Sequence, residues 1–209
     1  MSQFTGFTQK DFDVFSISGL DERMEALREN ISPKLEAIAS ELAPDLSVQT
    51  GDEMFVHVAR HARRTTNPPN DTWAAVAANK RGYKKLPHFQ VGLWGTHVFV
   101  WFAVIYESPI KAEFAHTLLK NKSEVLSLVP DSFVWSLDHT KKDSIPHKEV
   151  DAEKFEEMAE RLKNVKKAEI LCGVEIDRND EILQKPDEFM ALCRNTFETL
   201  LPLYRFTQK

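Results

Sequence analysis

The chain has 209 residues, a formal net charge of −5, 42% hydrophobic residues and 28% charged residues, a composition typical of a globular protein with a sizeable core. No apolar run approaches the roughly 20 residues of a membrane-spanning helix, and the first residues lack the basic start and apolar stretch of a signal peptide. Cys172 and Cys193 fall on apolar faces, which is typical of reduced core thiols. We therefore expect one α+β domain over residues 1–209, in the cytoplasm and away from membranes.

The N-terminal region is predicted to be helical. Thr8 and Asp11 have the spacing of a capping box, so a short helix is expected to begin after Thr8. Apolar residues at spacings of three and four then predict an amphipathic helix over about residues 21–43. Pro33 interrupts it, so that the helix either kinks there or restarts with Ser32 as its cap.

Two strands are predicted next, at residues 55–62 (FVHVARHA) and 73–78 (WAAVAA). The Pro-Pro and Asn-Asp pairs of residues 65–72 predict a loop between them, and residues 79–87 (NKRGYKKLP) predict a basic loop. If the two strands pair as a hairpin, the three arginines at residues 60–64 lie at one end and the basic loop at the other. Five or six strand residues would then separate the two basic groups by roughly 17–20 Å.

The clearest pattern in the chain is a β-hairpin at residues 88–106 (HFQVGLWGTHVFVWFAVIY). Gly95-Thr96 suits a type II′ turn, because glycine accepts a positive φ. This turn sets the register that pairs Gln90 with Trp101. One face is then wholly apolar and should pack under helices: Phe89, Val91, Leu93, Val98, Val100 and Phe102.

The other face of this hairpin mixes aromatic and polar side chains. It carries His88, Gln90, Gly92, Trp94, His97, Phe99, Trp101 and Ala103. One interpretation is that a second layer covers this face and that its nitrogen atoms find hydrogen-bond partners. The other is that this face forms the floor of a pocket, since pockets are usually apolar with a few polar groups.

The remaining segments predict alternating helices and short strands. The first are a helix from Ser108-Pro109 to about Asn121, a further helical turn or two at 123–129 and a strand at 133–138. A loop at 139–149, with or without a short strand, comes next. The last three elements are a helix capped by Asp151, a strand at 169–177 and a helix from Pro186 to Pro202. Strands cluster in the middle without regular βαβ alternation, which disfavours a doubly wound parallel sheet. We expect a two-layer α/β sandwich whose mostly antiparallel sheet of five to seven strands is covered by helices.

The chain carries none of the common nucleotide or catalytic signatures. It has no GxGxxG after a strand, no GxxxxGK[ST], no GxSxG and no CxxC. His57 and His61 could share a metal ion if they lay one turn apart on a helix. On the predicted strand they lie about 13 Å apart, too far for one ion. We therefore expect no metal and no cofactor.

The charge is segregated along the chain. Between His57 and Gln90, seven basic residues accompany one acidic residue, a local net charge of +6 that leaves −11 for the rest. Such segregation can mark a site for an anionic partner. The candidate ligand-binding residues are Lys80, Arg81, Tyr83, Lys84, Lys85, His88, Gln90 and Trp101. A solvated basic surface and a nucleic-acid interface are the alternatives for this segment.

Three stretches, FTGFTQKDFDVF at 4–15, NKRGYKKLPHFQVGLW at 79–94 and WFAVIYESP at 101–109, resemble the YktB family, which is bacterial and of uncharacterised function. The resemblance covers the whole chain and implies a cytoplasmic α/β protein of this length, with no known activity or catalytic residue to transfer. It also implies a sandwich distantly similar to biotin- and lipoate-ligase domains. Those enzymes carry a Gly-Arg-Gly-Arg type loop, and the nearest stretch here, residues 80–84, lacks the second glycine. A likeness of topology does not confer function.

Three hypotheses follow for a protein whose function the sequence leaves unknown. The first is a binding protein for an anionic or phosphorylated ligand, which uses the 79–88 loop and the adjacent Trp/His face. The second, by ligase-like topology alone, is an enzyme of acyl or nucleotidyl transfer. The third is either a nucleic-acid-binding protein or a structural interaction protein. In the interaction protein, the apolar stripe of residues 20–42 would contact a partner. The oligomeric state is left open.

Overall fold

A computed structural model describes residues 3–208, which contain a seven-stranded sheet. The strands are β1 Phe55–Val58, β2 Asp71–Ala77, β3 His88–Trp94, β4 His97–Val104, β5 Val134–Ser136, β6 Ile145–Pro146 and β7 Ile170–Asp177. Their order is β1-β2-β3-β4-β7-β5-β6, and every neighbouring pair is antiparallel. The predicted α+β sandwich with an antiparallel sheet is confirmed.

The helices pack on one face of this sheet. They are α1 Gln9–Asp13, α2 Leu20–Ala26, α3 Ser32–Thr50, α4 Lys111–Lys120, α5 Lys122–Leu128, α6 Ala152–Asn164 and α7 Pro186–Phe206. Their buried residues join one core cluster with the predicted apolar face of the hairpin. Phe89 of that face contacts Phe197 and Tyr204 of α7, with ring centroids 5.0 and 5.7 Å apart. No helix among the described residues is long and apolar enough to cross a membrane.

The hairpin has the predicted register but not the predicted turn. Gln90 pairs with Trp101 and Val91 with Val100, as expected. Positive φ angles among the described residues do not include Gly95, so the type II′ turn is wrong. A Cβ atom at Gly95 would lie 3.2 Å from the Cβ of Phe15. A small residue there therefore suits the docking of the N-terminal segment on the turn.

Both prolines that were expected to break helices are accommodated. The helical run from Leu20 continues through a π-helical segment, Leu27–Ile31, shortly before Pro33. The backbone hydrogen bonds of the helix are rearranged in this segment, and the helix does not end there. Pro202 was predicted to end the last helix, and this is wrong because α7 continues to Phe206. Burial of the following turn against the sheet outweighs the cost of about 3 kcal/mol for an interior proline.

The first strand is shorter than predicted. β1 ends at Val58, and His61 adopts a left-handed backbone conformation with φ of 48°. The following loop stays on the sheet, since the Nε2 of His61 bonds to the Oγ1 of Thr72 at 3.2 Å. Residues 59–64 therefore fold over the sheet instead of extending its edge.

Candidate functional site

The second face of the sheet carries an aromatic cluster to which no described helix residue contributes. This cluster contains Trp94, Phe99, Trp101, Ala103, Ile105 and Leu171, with Trp73 and Val134 packed against it. Side chains from three loops reach Trp73. Its Nε1–H donates to the Tyr83 hydroxyl at 2.8 Å, and the rings of His61 and His139 meet it edge-on at 5.5 and 6.2 Å. Trp73 consequently separates two concave regions of the surface.

The first region is an open groove of about 1440 Å³, which we call the basic groove. Both basic segments line it, residues 59–64 on one side and residues 79–86 on the other. The two segments lie beyond opposite ends of the β1–β2 pair, and both border one groove because His61 and Tyr83 each contact Trp73. Five of the predicted site residues line the groove: Lys80, Arg81, Tyr83, Lys84 and Lys85.

The cations of the basic groove are mostly unpaired. Among the described residues, Lys84 alone of the groove's two basic segments forms an ion pair, with Glu107 at 3.4 Å. Six cations of these segments have no carboxylate within ion-pair distance: Arg60, Arg63, Arg64, Lys80, Arg81 and Lys85. Glu36 also lines the groove, so its wall is basic without being uniformly so.

The basic loop is held in place by specific contacts. Asn79 accepts a hydrogen bond from the backbone N–H of Arg81 at 2.7 Å, and its carbonyl bonds to the Nε2 of His57 at 2.8 Å. The ring of Tyr83 lies between those of His57 and His88, with centroids at 5.6 and 4.9 Å. Burial raises the pKa of Tyr83 to about 12, so its hydroxyl stays protonated at neutral pH. The exposed cations thus extend from an ordered aromatic base.

His88 supports this loop from beneath and lines neither concave region. It is fully buried, its Nδ1 bonds to the Leu86 carbonyl at 2.8 Å, and its Nε2 lies 2.8 Å from the amide nitrogen of Gln90. Burial lowers the pKa of His88 to about 4, so the imidazole is neutral, donates through Nδ1 and accepts through Nε2. Its role is structural, as the first interpretation of the mixed face expected.

The second region is a small cavity of about 10 Å³, which we call the indole pocket. Its lining residues are Asp71, Trp73, Gln90, Trp94, Phe99, Trp101, Ser136, His139, Lys141 and Glu175. The volume suits about one water molecule. Of the predicted site residues, Gln90 and Trp101 lie here, on the opposite side of Trp73 from the basic loop. Seven of the eight predicted site residues therefore divide between two neighbouring regions, and His88 lines neither.

Asp71 is a pocket residue that the sequence did not single out. It is 7% exposed, and its carboxylate accepts no hydrogen bond from any other described residue. Burial raises the pKa of Asp71 to about 6, although the charges of His139 and Arg64 act in the opposite direction. The sequence context, a polar loop before a strand, concealed a carboxylate that the fold encloses with indole rings.

His139 and Glu169 form a hydrogen-bonded pair at the rim of the same pocket. The Nδ1 of His139 lies 2.7 Å from Glu169 Oε2, and Glu169 is 3% exposed. Backbone N–H groups of His139 and Tyr106 donate to the carboxylate at 3.0 and 3.4 Å. Burial lowers the pKa of His139, but Glu169, Asp71 and Asp138 outweigh it, so that the pKa lies above its usual value. Asp138, His139 and Glu169 together bring potential metal-ligand atoms within 4.8 Å of one another.

Neither histidine of the pair tested in the sequence belongs to such a cluster. His57 and His61 bond to Asn79 and Thr72 respectively, and the metal-ligand group found among the described residues contains neither. No sequence pattern signals the Asp138–Glu169 cluster, because about 30 residues separate its two parts. A lone His139 in a polar loop resembles any exposed histidine.

Comparison with known proteins places the chain in a family. Residues 7–204 match the model of a domain of unknown function, DUF1054. A UPF0637 protein of Bacillus velezensis is 52% identical over 203 residues, which cover 97% of each chain. A UPF0637 protein of Bacillus cereus is 50% identical over 198 residues, which cover 95% of each chain. The chain therefore belongs to the DUF1054 (UPF0637) family, whose function is uncharacterised and with which the YktB resemblance is consistent.

Proposed function

We propose that the protein binds a small polyanionic ligand, such as a phosphorylated metabolite, in the basic groove. The observation that carries this proposal is the set of six cations around one groove without a carboxylate partner. Like charges held near one another repel, and a bound polyanion relieves that repulsion. A cytoplasmic location fits this role. The free thiols of Cys172 and Cys193, both buried, support that location.

The form of the groove supports a small ligand over a purely solvated surface. Cations scattered on a convex surface are screened by salt and interact weakly. Here they border a concavity whose wall includes the half-buried rings of His57, Tyr83 and Trp73. Ring faces or edges give a ligand apolar contact area, and the surrounding guanidinium and ammonium groups can bind phosphate oxygens.

Nucleic acid is the second candidate, and one observation favours it. Both basic segments line a single groove, so a single strand could contact cations from residues 59–64 and from residues 79–86 along one path. Stacking on aromatic side chains and strong dependence on salt would be expected of that interaction. Acyl or nucleotidyl transfer stays a prediction from topology. The candidate lysines for that chemistry, Lys80, Lys84 and Lys85, are all exposed to solvent and are not in a desolvated site.

Isothermal titration of the purified protein with pyrophosphate and with inositol hexakisphosphate tests the proposal. We expect saturable binding that Arg81→Gln/Lys85→Gln weakens at least about tenfold, because both side chains are exposed and have no carboxylate partner. Lys166→Gln/Lys167→Gln is the matched control, since these lysines are also exposed and lie outside the groove. Equal affinity in the two double variants would reject the groove.

A fluorescein-labelled dT12 oligonucleotide distinguishes the second candidate. Binding that is much tighter than that of the small polyanions, and that falls steeply with salt, would assign the groove to nucleic acid instead. The small-ligand proposal expects weak binding of dT12 that pyrophosphate displaces.

A further inference from the structure

Three groups with metal-ligand chemistry converge beside the indole pocket. Asp138, His139 and Glu169 each offer one nitrogen or oxygen atom, and these atoms lie within 4.8 Å of one another. Four donors at about 2.0–2.2 Å from one Zn²⁺ ion lie roughly 3.4 Å apart in a tetrahedral site. The existing spacing therefore needs side-chain movements of about an ångström and no change of backbone.

Asp71 adds a further negative charge beside this cluster. Asp71 is 7% exposed, lines the same small cavity as His139, and acts on His139 through its negative charge. Buried charges in proteins are usually paired or bound to metal. The surrounding rings of Trp73, Trp94 and Trp101 exclude much of the water that would otherwise solvate Asp71.

We propose that Asp138, His139 and Glu169 form a binding site for one divalent metal ion of the Zn²⁺ or Mn²⁺ type, with solvent completing the coordination. One imidazole and two carboxylates suit these borderline ions, whereas Ca²⁺ and Mg²⁺ prefer oxygen ligands alone. Asp138 and Glu169 are both carboxylates, and a divalent ion would bind to both of them and to His139. This inference is independent of the anionic ligand proposed for the basic groove.

The hydrogen bonds around the cluster are those that a metal site uses as outer contacts. Glu169 accepts from the backbone N–H groups of Tyr106 and His139, and Asp138 accepts from the backbone and the hydroxyl of Thr140 at 3.0 and 2.6 Å. Such contacts fix the orientation of ligating carboxylates. They leave each carboxylate with lone pairs for an ion, because every oxygen can accept more than one bond.

Two existing contacts must give way when the ion binds. The hydrogen bond between His139 Nδ1 and Glu169 is replaced by bonds from both groups to the metal, so the Nδ1 proton moves to Nε2 or, from a charged imidazole, to solvent. Lys141, which is 64% exposed in its side chain, lies 3.6 Å from Asp138. An exposed ion pair of this kind contributes at most about 1 kcal/mol, so its loss is a small cost.

Isothermal titration of chelator-treated, tag-free protein with ZnCl₂ and with MnCl₂ tests the site. We expect one ion per chain, with Mg²⁺ binding far more weakly, and a Co²⁺ complex with visible absorption bands of a four- or five-coordinate ion. His139→Ala should lower Zn²⁺ affinity by more than the roughly 10–100-fold that loss of an outer contact costs. Glu169→Gln, which keeps the size of the side chain, should lower it at least about tenfold.

Matched variants separate this site from non-specific binding and from misfolding. His116→Ala removes an exposed histidine on α4 and should leave affinity and stoichiometry unchanged. Asp138→Asn alters a partly exposed residue, so it reports on the site even if His139→Ala fails to fold. Absence of a stoichiometric Zn²⁺ or Mn²⁺ site in the wild type, or wild-type affinity in both Glu169→Gln and Asp138→Asn, would overturn the proposal.

Discussion

Trp73 donates its indole N–H to the hydroxyl of Tyr83 at 2.8 Å, and this bond joins the basic loop to the sheet. Trp73 lines both the basic groove and the indole pocket. The bond therefore sets the position of the wall that the two regions share. It acts together with the bonds of His57 to Asn79 and of His88 to Leu86, which hold the two ends of the same loop.

Tyr83→Phe should loosen this loop. The change leaves the indole N–H of Trp73 without its partner, and such a loss costs about 1–3 kcal/mol when the group is buried. Urea unfolding should show a loss near the lower end of this range, because Trp73 is half-buried, and limited proteolysis should cleave faster within residues 79–86. Tyr106→Phe is the control, since Tyr106 is 42% exposed. Unchanged stability and cleavage in Tyr83→Phe would show that the bond is dispensable.

The stability of the protein should fall in mild acid because of His88. The pKa of His88 is lowered to about 4 by burial, below the value of about 6.5 in an unfolded chain. The unfolded state therefore takes up a proton first, so stability is fully present above pH 6.5 and is lost as the pH falls toward 4. The His88 contribution to this loss should be about 2 kcal/mol between pH 7.5 and pH 5.

His88→Asn isolates that contribution, because its amide does not titrate. Urea unfolding at pH 7.5 and pH 5 should show a smaller difference between the two pH values than in the wild type, whatever the absolute stability of the variant. His116→Asn, at an exposed position, should behave as the wild type does. An identical pH dependence in His88→Asn and the wild type would contradict the assigned role.

Sulfate should stabilise the protein through the basic groove. Sulfate stabilises proteins generally by exclusion from their surface, so the informative quantity is the melting temperature in sulfate minus that in chloride at equal ionic strength. This difference should shrink in Arg81→Gln/Lys85→Gln and persist in Lys166→Gln/Lys167→Gln, which removes the same charge outside the groove. Equal differences in the two variants would mean that the loop is only a solvated basic surface.

Gly92→Ala should destabilise the second sheet face. A Cβ atom there would lie 2.6 Å from the Thr72 carbonyl oxygen and 2.7 Å from the Cβ of Trp73, and neither can move without shifting β2. We expect a cost of about 1–3 kcal/mol, as for other overpacked sites, measured by urea unfolding. Gly82→Ala in the basic loop meets no atom within 4 Å and should be nearly neutral. A neutral Gly92→Ala would show that the strands adjust more freely than the contacts indicate.

Local patterns in the sequence determined much of the scaffold. Asp11 accepts from the backbone N–H of Thr8 at 2.7 Å, as the capping-box spacing predicted, and Gln90 faces Trp101 in the predicted register. Both features depend on residues close in the chain, where hydrogen bonding and the alternation of a strand leave few alternatives. The antiparallel sheet followed from the same alternation and from the absence of βαβ units.

Only the tertiary structure decided where the loops and the buried charges meet. Burial of the last turn of α7 kept Pro202 inside a helix, and the contacts of Trp73 brought two basic segments to one groove. Asp71, His139 and Glu169 lie far apart in the sequence, and each alone resembles an ordinary polar residue. Their chemistry arises from enclosure by indole rings and from mutual proximity. These are properties of packing between distant segments, and no local pattern encodes them.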